Sequence, residues 1–190
     1  MRCAARGQRR VRRVTWPMDP FLYGDVDGTD PQTSAWLRGL QHLEEVVERW
    51  ASDLDQAGYW WTPTVAGAPV EGVNPIGSLV RHIGGSSLRL LHYAQGLMPP
   101  DALREEGALD FVPSGAPGAE LYAQCRERLS TVREGLLALR PEEFAAMREV
   151  GRKRVPVRTT IIVQHLLEHA HSHAGQVIIM RKLYDAFGAD

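Results

Sequence analysis

The sequence has little of several features that point to particular protein classes. No apolar run approaches the roughly 18 residues needed to span a bilayer, and the N-terminus lacks the continuous apolar stretch of a secretory signal. Only two cysteines occur, Cys3 and Cys125, so no disulfide framework is expected, and Cys125 is predicted to be a buried residue of a helix. No Gly-rich phosphate loop and no internal repeat are present. These absences predict a cytoplasmic protein with no membrane partner.

Acidic residues dominate once the N-terminal segment is set aside. Residues 1–13 hold six arginines and no acidic residue, which leaves 16 basic and 23 acidic residues in the remainder. A folded body of that sign binds nucleic-acid phosphates poorly, so no nucleic-acid partner is expected for it. The arginine-rich segment would suit nucleic acid or an anionic membrane, but we favour a flexible leader or a start site assigned too far upstream. The chain therefore divides into a leader, residues 1–30, and a folded domain, residues 31–190.

Four segments carry apolar residues at three- and four-residue spacing, which predicts four α-helices. Cap, proline and glycine signals place them from Asp30-Pro31 to about Gly58, from Asn74-Pro75 to about Gly96, from about Ala119 to Leu139, and from Thr159 or Thr160 to Phe187. Residues 59–73 and 99–118 are predicted as loops, PEEF at 141–144 as a short turn, and residues 148–158 as a weakly extended strap. Helices of about 20 to 28 residues joined by long connections predict an all-α, four-helix bundle with long crossover loops.

Three histidines recur at four-residue spacing in the last predicted helix: His165, His169 and His173. Residues i and i+4 lie above one another on one helix face. This face adjoins the apolar one, so the rings are expected at the edge of the core. Two neutral imidazoles placed in this way can bind one metal ion, which would then need a third ligand from another element. His171 falls on the far side of the helix and is predicted to be a solvated surface residue.

His82 is the best candidate for the third ligand among the remaining histidines. It lies in the middle of the second predicted helix, and Gly84-Gly85 follows it. Without side chains at these two positions, another helix or a ligand can come close. A hydrogen-bonded core histidine is the alternative interpretation of His82.

The string HLLEH, residues 165–169, also matches the H-x-x-E-H motif of inverted zinc peptidases. In that interpretation His165 and His169 are the ligands and Glu168 is the general base. Such enzymes take a third ligand well downstream from another element. Only 21 residues follow His169, and most of them belong to the same predicted helix, so this alternative is disfavoured.

Two strings of the sequence resemble the DinB/YfiT-like superfamily of four-helix-bundle metalloproteins. Residues 74–96, NPIGSLVRHIGGSSLRLLHYAQG, are similar to the family's second helix with its single ligand histidine. Residues 159–183, TTIIVQHLLEHAHSHAGQVIIMRKL, are similar to its last helix, where H-x-x-x-H is followed shortly by Gly-Gln. The resemblance covers about residues 31–187. It implies His82, His169 and His173 as metal ligands and Gly175 as a site of tight helix packing, and it leaves His165 either behind the ligands or at the core edge.

The resemblance also implies a divalent ion of the zinc, nickel or iron type, a small-molecule substrate and a homodimer. Related proteins include S-transferases and isomerases that use a low-molecular-weight thiol, and others regarded as metal-dependent hydrolases. Glu71, in the loop before the second helix, and Glu168 are the candidate acid–base groups. Two other functions stay open: a non-catalytic metal-binding or stress-associated bundle protein, and a structural bundle whose site has lapsed.

Overall fold

A computed structural model describes residues 18–188, and this part of the chain is mainly helical. Its six α-helices are α1 (Pro31–Ala51), α2 (Gln56–Trp60), α3 (Ile76–Ala94), α4 (Asp101–Leu109), α5 (Gly118–Ala138) and α6 (Thr159–Phe187). Two antiparallel hairpins pair β1 (Thr64–Val65) with β2 (Ala68–Pro69) and β3 (Met147–Val150) with β4 (Val155–Arg158). The arginine-rich segment and Cys3 lie outside the described residues. None of the helices within 18–188 is long and apolar enough to cross a membrane.

The four long helices, α1, α3, α5 and α6, form a bundle. Helix α3 packs against α6 and α5, and α1 packs against the same two helices. Helices α1 and α3 therefore lie on one diagonal, and α5 and α6 lie on the other. The connections from α1 to α3 and from α5 to α6 join diagonal partners, which makes them crossover connections. The predicted all-α bundle with long crossover loops is confirmed.

The core fills the space between these helices with aliphatic side chains. Each long helix contributes a stripe at helical spacing, and fully buried members include Leu40 and Leu43 of α1, Leu79 and Ile83 of α3, Leu129 and Leu136 of α5, and Leu166 and Val177 of α6. Truncating one buried leucine to alanine typically costs about 2–5 kcal/mol. The packing of α3 against α6 is what brings the histidines of the two helices together.

The first predicted helix ends earlier than expected, at Ala51 rather than near Gly58. Its start is as predicted, because the Asp30 side chain accepts hydrogen bonds from the first-turn backbone. A separate short helix, α2, follows because Asp55 caps it by accepting from the Gly58 backbone N–H. Gly58 is not a helix stop. It is buried, and a Cβ there would lie 2.7 Å from the Tyr184 ring.

Some of the other predicted element boundaries agree with the structure and some differ from it. Helix α3 is preceded by Pro75 in the cap position, not Asn74, and no side chain caps it. The predicted loop 99–118 contains α4, and the predicted loop 59–73 contains the end of α2 and the β1–β2 hairpin. The strap predicted at 148–158 is the β3–β4 hairpin. Helices α5 and α6 and the turn at Pro141–Glu143 lie where the sequence predicted them, to within a residue or two.

Helices α3 and α5 approach closely at Gly84. A Cβ on this glycine would lie 3.0 Å from the Cα atom of Cys125 on α5, closer than side chains normally come to a backbone. Cys125 itself is buried, as predicted, and burial raises the pKa of its thiol to about 12. The absence of a side chain at Gly84 therefore sets the distance between the two helices.

Candidate metal centre

Three histidines from two helices converge at the α3–α6 interface. The Nε2 atoms of His82 and His169 are 2.8 Å apart. The ring centroid of His173 lies 4.6 Å from that of His82 and 4.7 Å from that of His169. One ring nitrogen from each histidine lies within 4.8 Å of the other two. Three nitrogen donors are thus grouped at one point of the bundle.

The nitrogen spacing fits one metal ion. Two ring nitrogens bound about 2.1 Å from a tetrahedral ion lie about 3.4 Å from each other. The three nitrogens span separations from 2.8 Å to at most 4.8 Å, a range that brackets this value. His82 and His169 would have to separate by about half an ångström, since 2.8 Å is a hydrogen-bond distance. With a change of that size, the group could hold a metal ion.

A buried carboxylate orients His82. The His82 Nδ1 atom is 2.9 Å from Oδ2 of Asp110, and an Arg89 guanidinium nitrogen donates to the same oxygen over 2.6 Å. The His82 side chain is 12% exposed, and the Asp110 side chain is fully buried. Burial alone would raise the Asp110 pKa, but the hydrogen bonds from His82 and Arg89 outweigh it and hold the pKa below its usual value. The carboxylate therefore accepts from Nδ1–H, which leaves the Nε2 lone pair facing the other histidines.

The turn after α4 carries Asp110 to this position. The Arg81 guanidinium donates hydrogen bonds to three backbone carbonyls of the turn, those of Leu109, Asp110 and Val112. Phe111, in the same turn, places its ring centroid 4.4 Å from that of His82 and 5.8 Å from that of His173. Phe111 is 39% exposed, so it offers an apolar surface that contacts two of the histidines and is partly open to solvent.

Gln176 holds the ring of His173. The His173 Nδ1 atom lies 3.2 Å from the Gln176 side-chain oxygen, so Nδ1–H donates and Nε2 stays free. Burial lowers the pKa of His173, and this hydrogen bond opposes the shift only in part. The resemblance implied tight helix packing at the preceding residue, Gly175, but the structure shows none there. A Cβ there would have no neighbour within 4 Å, because this side of α6 is exposed.

His169 is the histidine whose protonation is most strongly disfavoured. Burial, and then the neighbouring imidazoles of His173 and His82, lower its pKa from 6.5 to about 4. A metal ion is bound by the neutral ring. The site therefore keeps the His169 ring uncharged near neutral pH.

The match to a known family agrees with this geometry. A family model described as the DinB superfamily matches residues 40–177, which is well over half of the chain. The chain belongs to the DinB superfamily. A comparison with curated proteins found no match. The predicted family is confirmed, and the three-histidine group lies on the two DinB helices from which it was predicted.

Among the other predicted residues of this DinB protein, His165 lies next to the group without joining it. Its ring centroid is 5.5 Å from that of His169, and its side chain is exposed. Within residues 18–188, the ligand atoms that converge belong to His82, His169 and His173. The peptidase alternative, which needs His165 as a ligand, therefore has no converging third donor in the described part of the chain.

The two candidate acid–base groups lie at different places on the surface of the protein. Glu168 is exposed, accepts a hydrogen bond from Gln164, and lines a cleft of about 450 Å³ together with His165 and Trp36. Glu71 is exposed in the turn that follows β2. Their catalytic assignment stays a prediction.

The prediction of a solvated His171 is wrong. This side chain is half-buried, its Nδ1–H donates to the Leu167 carbonyl over 2.8 Å, and its ring centroid lies 5.3 Å from that of His42 on α1. Burial lowers its pKa. Helix α6 packs against both α3 and α1, so two of its sides are covered, and the periodicity of one helix could not show this.

Sequence reasoning missed Asp110 and Arg89. Asp110 is 28 residues from His82 along the chain and lies in a segment predicted as a loop. The one local signal was an acidic residue between Leu109 and Phe111 in a short apolar run. Such a run does not say which distant histidine the carboxylate will meet.

The low pKa of His169 predicts that acid destabilises the metal-free protein. The unfolded chain binds this proton near pH 6.5 and the folded chain only near pH 4. The neutral ring thus contributes stability that is present above pH 6.5 and is lost as the pH falls toward 4. We expect the melting temperature of chelator-treated protein to fall across this window. A His169→Gln variant should show a shallower fall. An equally steep fall in that variant would assign the effect to other groups.

Proposed function

We propose that this chain is a metal-dependent enzyme in which His82, His169 and His173 hold a divalent ion of the zinc, nickel or iron type. The observation that carries the proposal is the convergence of three ring nitrogens within 4.8 Å of one another. The hydrogen bonds of His82 to Asp110 and of His173 to Gln176 support it, because each one uses Nδ1 and leaves the lone pair of the ring on Nε2. When bound, such an ion would lower the pKa of a thiol or a water molecule and supply a nucleophile near neutral pH.

The surroundings of the group suit a small-molecule substrate. His169 and His173 are only half-buried, so the site can be reached from solvent. Phe111 offers an apolar surface beside two of the rings. Three protein ligands also leave coordination positions open. These features favour a site for reaction over a closed structural site.

The most direct chemistry is S-transfer from a low-molecular-weight thiol, with hydrolysis as the variant in which water replaces the thiol. In the transfer, the thiol loses its proton, its sulfur forms a bond to an electrophilic carbon, and the leaving group departs with its bonding electrons. The proton passes to solvent or to a carboxylate, for which Glu168 and Glu71 stay the candidates.

A non-catalytic metal-binding bundle protein is the second candidate function. One observation favours it: the three histidines belong to α3 and α6, the two helices that pack most extensively against each other. An ion shared between them would cross-link the bundle and stabilise the fold. This candidate predicts a large metal-dependent rise in melting temperature with no turnover of any thiol.

Elemental analysis of the purified protein tests metal binding directly. We expect about one divalent ion per wild-type chain and loss of that ion in His82→Ala, because two imidazoles on one helix do not complete a stable site. His92→Ala is the matched control, since His92 is on the same helix but donates to the Leu88 carbonyl. If wild type and His82→Ala hold equal amounts of metal, the proposed site is wrong and a lapsed bundle is favoured.

A second assay separates the reaction classes. The metal-loaded protein is mixed with glutathione and chlorodinitrobenzene, and, in parallel, with a chromogenic ester and no thiol. Thiol-dependent dye formation that His82→Ala abolishes supports S-transfer, and thiol-independent ester cleavage supports hydrolysis. Metal binding with neither activity favours the non-catalytic candidate.

The homodimer and the cytoplasmic location stay predictions. Light scattering after gel filtration tests the homodimer.

A further inference from the structure

We propose that Asp110, supported by Arg89, is a positioning residue of the histidine group that holds His82 with its proton on Nδ1 and its Nε2 directed at the ion. This inference rests on the proposed metal-binding function. It assigns a role to residues of the α4 turn and of α3 that bind no metal themselves.

The Asp110 carboxylate is placed at a cost to stability. Its side chain is fully buried, and only Oδ2 has partners, the Nδ1 of His82 and the guanidinium of Arg89. The other oxygen, Oδ1, is buried without a hydrogen-bond partner among residues 18–188. A buried carboxylate with one unsatisfied oxygen is unfavourable for folding. Stability alone therefore does not explain why an acidic residue occupies this position.

The turn does not need this carboxylate to keep its shape. Arg81 already holds the backbone of the turn through the carbonyls of Leu109, Asp110 and Val112. The Asp110 side chain makes none of these bonds. Its hydrogen bonds go to His82 and Arg89 alone, which is the arrangement expected of a group that orients a ligand from behind.

Arg89 lies in a space that two glycines leave open. A Cβ on Gly107 of α4 would lie 2.8 Å from the Arg89 guanidinium carbon, and one on Gly85 of α3 would lie 3.1 Å from a guanidinium nitrogen. Arg89 also donates to the Leu103 carbonyl over 3.3 Å. Glycines from two helices thus leave room for one guanidinium, which donates to the same Oδ2 of Asp110 that contacts His82. The two glycines of the Gly-Gly pair of α3 therefore have different roles. The missing side chain at Gly84 lets α5 pack closely against α3, and the one at Gly85 leaves room for the Arg89 guanidinium.

The tautomer of His82 matters because a neutral imidazole has one N–H and one lone pair. With the proton on Nδ1, the lone pair on Nε2 is available to an ion. With the proton on Nε2, an N–H would point at the site and His82 could not act as a ligand there. The Asp110 carboxylate accepts only, so it selects the first form.

Nitrogen-15 NMR of metal-free wild-type protein tests this tautomer without any substitution. The spectrum is recorded at a pH above the imidazole range, so that the rings are neutral. We expect His82 to carry its proton on Nδ1, while a proton found on Nε2 would overturn the inference. Because the sample contains no metal, this result does not depend on whether the proposed function is correct.

Metal affinity, measured by competition with a chromophoric chelator, tests the consequence. Asp110→Asn removes the charge and offers an amide N–H that can turn toward Nδ1, so we expect metal binding about 10–100-fold weaker and a mixed His82 tautomer. Asp101→Asn is the matched control, because this exposed carboxylate on α4 pairs with Arg104. Its affinity should equal that of wild type.

Gly107→Ala provides a variant that leaves Asp110 and all three histidines in place. The added methyl group displaces the Arg89 guanidinium, and we expect about 10-fold weaker metal binding with unchanged helix content. It keeps the test decisive if Asp110→Asn does not fold. Wild-type affinity in a folded Asp110→Asn or in Gly107→Ala would overturn the inference. A wild-type protein that binds no metal would instead contradict the proposed function.

Discussion

Purified His169→Ala and His173→Ala should each lose the bound metal ion, whereas His165→Ala should retain it. His169 and His173 belong to the group whose ring nitrogens converge with that of His82, and His165 is an exposed neighbour. Zinc sites in small domains contribute roughly 10–16 kcal/mol in total, so losing one ligand should weaken binding by about 100-fold or more. Elemental analysis and chelator competition measure the loss.

The three variants also decide between the two interpretations of the motif. The inverted-peptidase interpretation makes the opposite prediction, in which His165→Ala is damaging and His173→Ala is mild. Since each variant replaces a histidine by alanine inside α6, differences in helix propensity cancel among the variants. Metal loss in His165→Ala with retention in His173→Ala would show that the converging group is not the binding site.

Gly84→Val and Gly175→Ala should change stability in opposite directions. At Gly84 a Cβ would already lie 3.0 Å from the Cys125 Cα atom, so a branched side chain must push α3 away from α5. Overpacking of this kind costs about 1–3 kcal/mol, occasionally more. At Gly175 a Cβ meets nothing within 4 Å, and replacing a helical glycine by alanine stabilises by up to about 1 kcal/mol.

Urea unfolding of metal-free protein measures both effects, and metal affinity gives a second readout. Gly84 is two residues from His82, so displacement of α3 in Gly84→Val should also weaken metal binding. Gly175→Ala should leave metal binding unchanged, although Gly175 belongs to the Gly-Gln string of the family. Destabilisation by Gly175→Ala would mean that this glycine has a packing partner on the exposed side of α6, as a homodimer interface would provide.

Local sequence signals predicted the elements that depend on local chemistry. The cap at Asp30 and the glycine that follows Phe187 mark real helix ends, because each bonds within its own terminal turn and needs no distant partner. Gly58 carried the same kind of signal and was misread. A Cβ on Gly58 would lie 2.5 Å from the Leu54 side chain and 2.7 Å from the ring of Tyr184, 126 positions later in the chain, so packing and not a helix end explains this glycine. Glycine has both uses, and only packing distinguishes them.

The amino-acid sequence by itself determined the histidine stripe of α6, its helical periodicity and the likeness of two segments to the DinB superfamily. These depend on residue spacing within one helix, which a linear sequence contains in full. Only the tertiary structure decided that Asp110 meets His82, that α1 covers His171, and that Gly84 but not Gly175 is a close contact. Each of these depends on which helix or turn covers a given face, and that is set by the packing of elements distant in the chain.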